Sequence, residues 1–317
     1  MNVRRLGLML AAAALGLAAC AGTPEGQPSS APKTRTIEHA MGSTEVPVNP
    51  RRVVVLDTDK LDTALTLGVV PVGAARADQV TGWPRYLGPK VKPVEEVGVL
   101  TELNLEAIAA LQPDLILGSK FRQEKYYSKL SAIAPTVFTA NIGTPWKENF
   151  LLDGKALGKE GQARSLLTEY EDRAEAVGRK LGDPSASEVS VVRFMPDQIR
   201  MYGPESFVGI VLADVGVGRP AAQRLTGAAD RRFVAISPER LTEAGGDIIF
   251  VTAYGADAAT AQEKTTNGRL WQTLPAVKAG RAHTVPDETW MTGIGVTAAN
   301  RVLDDLEKYL PGAKPST

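Results

Sequence analysis

Apolar residues in this chain gather into short continuous runs, and between the runs they recur at helical spacing. Val53 to Leu56 is a β-branched run of the kind that forms a parallel strand buried on both faces. Leu61 to Leu67 reads as a helix closed by Gly68, and Val69 to Ala74 as the next strand. Leu105, Ile108, Ala109 and Leu111 share one helical face, Pro113 stops that helix, and Leu115 to Leu117 is extended again. Tyr126 to Ile133 reads as helix and Thr136 to Thr139 as strand. The second half repeats the plan. Glu188 to Phe194 is a strand with Ile199 to Tyr202 as its hairpin partner, followed by helices at Phe207 to Leu212 and Ile236 to Ala244. Ile248 to Thr252 and Ala282 to Val285 are extended, and Val296 to Leu310 is a terminal helix. This alternation predicts an α/β fold with mainly parallel sheets.

Between the halves, Ala163, Leu166, Leu167, Tyr170, Ala174, Val177 and Leu181 form one apolar stripe, which Gly182-Asp183-Pro184 ends. At 1.5 Å per residue such a helix spans about 30 Å, enough for a strut between two lobes. Gly158 and Gly161 separate it from an earlier helix that starts after Pro145. Two pairs of segments make the halves structural cousins. Leu67-Gly68-Val69-Val70-Pro71 matches Val215-Gly216-Val217-Gly218-Arg219-Pro220, and the intervals from Glu106 to Asp114 and from Glu239 to Asp247 are equal.

Composition adds limits. The 317 residues are 44% hydrophobic and 23% charged, as in an ordinary globular protein, and the length favours two lobes over one core. Basic and acidic residues balance at 36 each, so no charge excess points to nucleic acid. The first residues change the picture. Arg4 and Arg5 precede an apolar stretch, Leu6 to Ala19, too short to span a bilayer comfortably, and Leu17-Ala18-Ala19-Cys20 ends it. This resembles the lipobox of bacterial lipoproteins, and Cys20 is the only cysteine, so no disulfide forms within the chain. An ordinary signal peptide with an incidental cysteine is the alternative. The expected organisation is a lipoprotein signal peptide at 1–19 and a flexible tether at 20–36, rich in Ala, Gly, Pro, Ser and Thr. An N-terminal lobe follows at 37–146, a connecting helical segment at 147–182 and a C-terminal lobe at 183–317. Acyl chains such as palmitate on Cys20 would hold the protein to the extracytoplasmic face of the cell membrane.

Longer motifs carry a second resemblance. His39-Ala40-Met41-Gly42, Val46-Pro47 and Pro50-Arg51-Arg52-Val53-Val54-Val55-Leu56-Asp57 open the folded part. Asn104-Leu105-Glu106-Ala107-Ile108 and Leu111-Gln112-Pro113-Asp114-Leu115-Ile116-Leu117-Gly118 follow, then Lys129 to Thr136, Leu274 to Arg281 and the helix after Trp290. Together these resemble iron–siderophore-binding proteins of ABC importers, the class with a rigid helical backbone, over about residues 37 to 312. The resemblance implies two Rossmann-like α/β lobes joined by one long backbone helix, with ligand in the cleft between them. It implies a monomer that hands a ferric siderophore to a membrane permease driven by an ATPase. No cofactor is needed, because the iron arrives already chelated. The stretch Val189 to Tyr202 looks most like binders of ferric hydroxamates of the ferrioxamine type. Glu106 and Glu239 match lobe-surface glutamates that pair with permease arginines.

Chemistry selects the site independently. In open α/β sheets ligands sit beyond the carboxyl ends of parallel strands. That places Arg76 with Trp83, then Lys120 with Arg122, in the first half, and Arg193, Met195, Tyr202, Tyr254 and Trp290 in the second. Guanidinium forks suit the anionic oxygens around a ferric complex, and aromatic faces cover its organic frame. Trp290, in a glycine-containing loop, is expected in the cleft, and Trp146 and Trp271 in the core. Arg51 and Arg52 precede their strand and lie at the wrong end. A ferric citrate-type carboxylate chelate, haem or a corrinoid remains open as ligand. A secreted hydrolase is the alternative from another class. Against it, His39 and His283 are the only histidines, and no nucleophile elbow, P-loop or His-Glu-x-x-His motif is present. Neither catalytic residues nor protein metal ligands are expected.

Overall fold

Thirteen strands in three sheets carry the described part of the chain, residues 33–311 of a computed structural model. A hairpin of β1 (Thr34–His39) and β2 (Gly42–Pro47) opens it. The first lobe is a six-stranded sheet in the order β6-β5-β4-β3-β7-β8. Its strands are β3 (Val53–Val55), β4 (Gly73–Arg76), β5 (Glu95–Val99), β6 (Glu102–Leu103), β7 (Leu115–Ser119) and β8 (Thr136–Thr139). The second lobe is a five-stranded sheet in the order β11-β10-β9-β12-β13. It comprises β9 (Val189–Phe194), β10 (Ile199–Tyr202), β11 (Phe233–Ile236), β12 (Ile248–Ala253) and β13 (Ala282–Thr284). Every residue of β3 and β9 is buried, the signature of central strands covered by helices on both faces. The helix Glu160–Leu181, 22 residues long, joins the lobes as the apolar stripe predicts, and buries Ala163, Leu167, Tyr170, Ala174 and Val177. The fold is thus the two-lobed α/β architecture expected from the sequence.

The halves correspond where the sequence pairs them. In each lobe three parallel strands lie side by side, β3-β7-β8 and β9-β12-β13. Asp114 accepts hydrogen bonds from the backbone N–H groups of Arg51 and Arg52 at 2.8 and 2.9 Å, just before β3. Asp247 accepts one from Glu188 N–H at 2.8 Å, just before β9. Each aspartate therefore satisfies backbone donors where the central strand of its lobe begins. Gly68 and Gly216 take φ of 75° and 85° at the ends of helices Thr58–Thr66 and Phe207–Val215.

The structure departs from the expected plan in four places. The first strand opens at Thr34, inside the segment 20–36 read as tether, and it is tied to the first lobe by Ala40 N–H donating to Phe138 O at 2.9 Å. That hairpin is poor in apolar residues because only Ile37 and Val46 are buried among its twelve. Ile236 ends β11, and only Pro238–Ala244 is helical, as a 3-10 turn. The helix Ala256–Thr266 shows no apolar stripe in sequence, since Ala258 is its one buried residue. The terminal helix Val296–Tyr309, assigned to the lobe 183–317, packs back onto the first lobe. Asp62 of helix Thr58–Thr66 accepts from Thr297 N–H and Ala298 N–H at 3.1 and 3.0 Å, and Thr66 Oγ1 lies 2.6 Å from Thr297 Oγ1. One apolar core runs through this junction, from Leu61 and Leu65 to Val302 and Leu306.

Candidate functional site

The lobes enclose a cleft of about 400 Å³ beyond the carboxyl ends of β7, β9 and β12. Six of the expected residues line it: Arg122, Arg193, Met195, Tyr202, Tyr254 and Trp290. Arg76 and Trp83 instead line an adjoining cavity of about 40 Å³, which shares Thr58 and Thr292 with the cleft. Arg76 is a loop staple there. Its Nε lies 3.0 Å from Glu96 Oε2, and Nη1 donates to Ala77 O at 3.0 Å and to Val80 O.

Arg193 is built into the wall. It is 8% exposed, and its Nε and Nη2 donate to the two oxygens of Asp287 at 2.6 and 2.8 Å. Nη1 donates to Tyr202 Oη at 3.1 Å, and the guanidinium lies 4.6 Å from the Tyr254 ring centroid. Burial alone would lower its pKa, but Asp287 outweighs that and raises it; burial also raises Asp287 above the usual carboxylate range. Across the cleft, Arg122 Nε is 3.0 Å from Oδ2 of the fully buried Asp57, although its N–H is not aligned as a hydrogen bond. Asp57 is held in turn by Thr58 N–H at 2.8 Å and Ser119 Oγ at 3.0 Å.

Trp290 reaches the cleft only from beneath its surface. Its side chain is in the core, 0% exposed, with its ring centroid 4.4 Å from that of Phe250 and Nε1 donating to Asp305 at 2.8 Å. It supports the cleft floor from behind. Trp146 and Trp271 are buried as expected.

Sequence reasoning misses Arg200. It stands directly opposite Arg193 in the antiparallel β9–β10 pair, so both side chains point to one face. Like charges directly opposite repel, and Asp287 neutralises only Arg193. Arg200 stacks on Phe233 at 4.2 Å, and its Nε is shut off from water with no hydrogen-bond partner. At the outer edge of the cleft stand Phe121 and Arg232, one from each lobe. The signal for Arg200 was the hairpin register itself, which pairs Arg193 with Arg200 once Phe194 is paired with Ile199.

Behind the floor Lys60 is 0% exposed and binds Asp59 at 3.0 Å, Asp153 at 2.9 Å and Thr139 Oγ1 at 2.9 Å. Burial raises both carboxyl groups above their ordinary range. Among the described residues no cluster of three or more His, Cys, Asp or Glu could hold a metal ion, and no helix is long and apolar enough to cross a membrane. Glu106 and Glu239 are both exposed in the first turns of Leu105–Ala110 and Pro238–Ala244. Cys20 lies outside the described residues.

Comparison with known proteins fits this geometry. The chain is 41% identical over 288 residues to the probable siderophore-binding lipoprotein YfiY of Bacillus subtilis (strain 168), covering 88% of this chain and 89% of that protein. It is 31% identical over 263 residues to the achromobactin-binding periplasmic protein of Dickeya dadantii (strain 3937), covering 82% and 86%. The crystal structure of Staphylococcus aureus SirA complexed with staphyloferrin B superposes with a TM-score of 0.78 at 34% identity, covering 88% of this chain and 99% of that one. Residues 53–289 match the periplasmic binding protein family, and with both lobes, their connecting helix and the cleft in place, the chain belongs to that family.

Proposed function

We propose that this chain is the substrate-binding component of an ABC uptake system for ferric siderophores, and that its ligand is a chelate with free or iron-bound carboxylates. The observation that carries the ligand class is Arg200. A guanidinium facing another arginine, stacked on an aromatic ring and lacking a carboxylate, is a seat for an anionic oxygen. Arg122 faces it from the other lobe, and Tyr254 and Phe233 offer ring faces for the organic part. The relatives named for achromobactin and crystallised with staphyloferrin B support a chelated-iron ligand. The ferrioxamine-type ligand favoured by the sequence resemblance is the second reading, because a neutral hydroxamate complex leaves Arg200 without its anion.

The remaining roles follow from that reading. The chain binds and does not turn over its ligand, needs no cofactor, and acts as a monomer. Lipid on Cys20 anchors it at the extracytoplasmic face, and Glu106 and Glu239 dock it onto the permease that an ATPase drives.

Quenching of tryptophan fluorescence by ferric staphyloferrin B, ferric citrate, ferrioxamine, haem and cobalamin tests the ligand class. Saturable quenching by a carboxylate chelate is expected, and Arg200→Ala should weaken it about ten- to hundredfold. Binding of ferrioxamine alone would move the ligand to the hydroxamates. Silence with all five would remove the carboxylate reading and leave the family standing.

A further inference from the structure

Phe121 is an anomaly of the surface: a large apolar side chain 52% exposed. It stands on a short helix of the first lobe, Lys120–Gln123, and its ring centroid lies 5.8 Å from the guanidinium carbon of Arg232 in the second. The pair marks a neck. On its inner side is the arginine cleft of about 400 Å³; on its outer side a chamber of about 560 Å³ is lined by Asn141, Thr144, Ala229 and Asp230. Phe121, Ile142, Glu205 and Arg232 line both.

Other contacts across the mouth are hydrogen bonds and ion pairs, among them Arg85 Nε to Glu288 Oε1 at 3.0 Å. Gln79 N–H donates to Tyr254 Oη at 3.3 Å, Arg85 N–H to Glu288 at 3.2 Å, and Thr144 Oγ1 to Glu205 O at 2.6 Å. The contact between Phe121 and Arg232 is side chain on side chain, and both stems are anchored. Phe121 N–H donates to Ala140 O at 3.2 Å, and Arg232 O accepts from Gly203 N–H at 2.8 Å. Asp230 clamps the guanidinium through Nε and Nη2, at 3.0 and 2.7 Å. Rotation about side-chain bonds alone opens this point, on a nanosecond scale, while the lobes stay still.

We propose that Phe121 and Arg232 form a side-chain gate between the outer chamber and the arginine cleft, through which ligand enters and leaves without lobe opening. The proposal rests on the reading that the cleft holds the ligand. A gate closed in both the free and the loaded protein is a barrier common to entry and exit. Removing it therefore speeds both rates by one factor.

Stopped-flow fluorescence with ferric staphyloferrin B or ferric citrate measures both rates. Phe121→Ala should raise association and dissociation together, about two- to fivefold, the worth of an exposed cation–π contact. Phe121→Trp should restore both. A rise in dissociation alone would make the ring a ligand contact, a rise in association alone would make the pair a competitor of the ligand, and no change would make it idle; each overturns the gate. A readout without ligand uses melts of Phe121→Ala, Arg232→Gln and the double variant. The gate requires that the combined loss be smaller than the sum, and strict additivity would overturn it. If neither chelate quenches the unaltered protein, the ligand reading falls, and the melts still decide whether the pair exists.

Discussion

Asp62 ties the terminal helix to the first lobe. It is fully buried, accepts two backbone N–H groups from the start of helix Val296–Tyr309, and hydrogen-bonds Thr66 and Tyr86. Burial pushes its pKa up to about 6 despite those donors, against an ordinary 3.8. The folded state thus binds its proton more tightly than the unfolded chain. Its contribution to stability is fully present below about pH 4 and is lost as pH rises through 6, on the order of 2–3 kcal/mol. Urea unfolding of Asp62→Asn at intervals from pH 4 to 7 should lack that slope; an unchanged slope would assign it elsewhere. At this scale the cleft was half legible. Arg193, Tyr202 and Tyr254 follow from the rule that ligands sit beyond strand ends, because single residues on named strands suffice for it. Arg200 needs a strand register, and Pro196-Asp197 mark the turn without fixing which residues of the two strands face each other. Trp290 is decided by Asp305 and Phe250, neither of which its own loop reveals.

Elements with a full apolar stripe or an all-apolar run were readable, since their pattern repeats enough to survive local noise. The helix Glu160–Leu181 and strands β3, β7, β9 and β12 are of this kind. The hairpin of β1 and β2, each with one buried residue, and helix Ala256–Thr266, also with one, are held by backbone pairing and neighbours instead. The seam between the lobes depends on element ends as well. Gly295 precedes helix Val296–Tyr309 at φ 141°, and a Cβ there would stand 2.4 Å from Asp62 Oδ1. Gly295→Ala combines a strained backbone with a clash against a buried carboxylate. It should cost about 1–3 kcal/mol in a thermal or urea melt, whereas the same change at the exposed Gly161, which has open space, should cost nothing. Equal effects at the two sites would show that the seam tolerates a side chain.

The whole molecule is two matched sheets carrying one carboxylate each at a corresponding place. Glu106 and Glu239 sit in the first turn of the segment that leads to the strand-starting Asp114 and Asp247. Their separation is fixed by the shared core, so a partner that contacts both reads the spacing of the lobes. Replacing both with alanine should leave the affinity for a ferric chelate unchanged and abolish iron uptake by cells that depend on this chain. Normal uptake would remove the docking role.

The return of helix Val296–Tyr309 to the first lobe also bears on the order of assembly. Asp62 waits for Thr297 and Ala298 across 235 and 236 residues of sequence. Contacts of such separation form late in folding, after loop closure has been achieved elsewhere. Either sheet can gather its own strands, but the cleft between them acquires its fixed width only when the last helix docks. A chain stopped short of residue 296 would lose the spacing of both lobes, and with it the site, while keeping every strand that lines it.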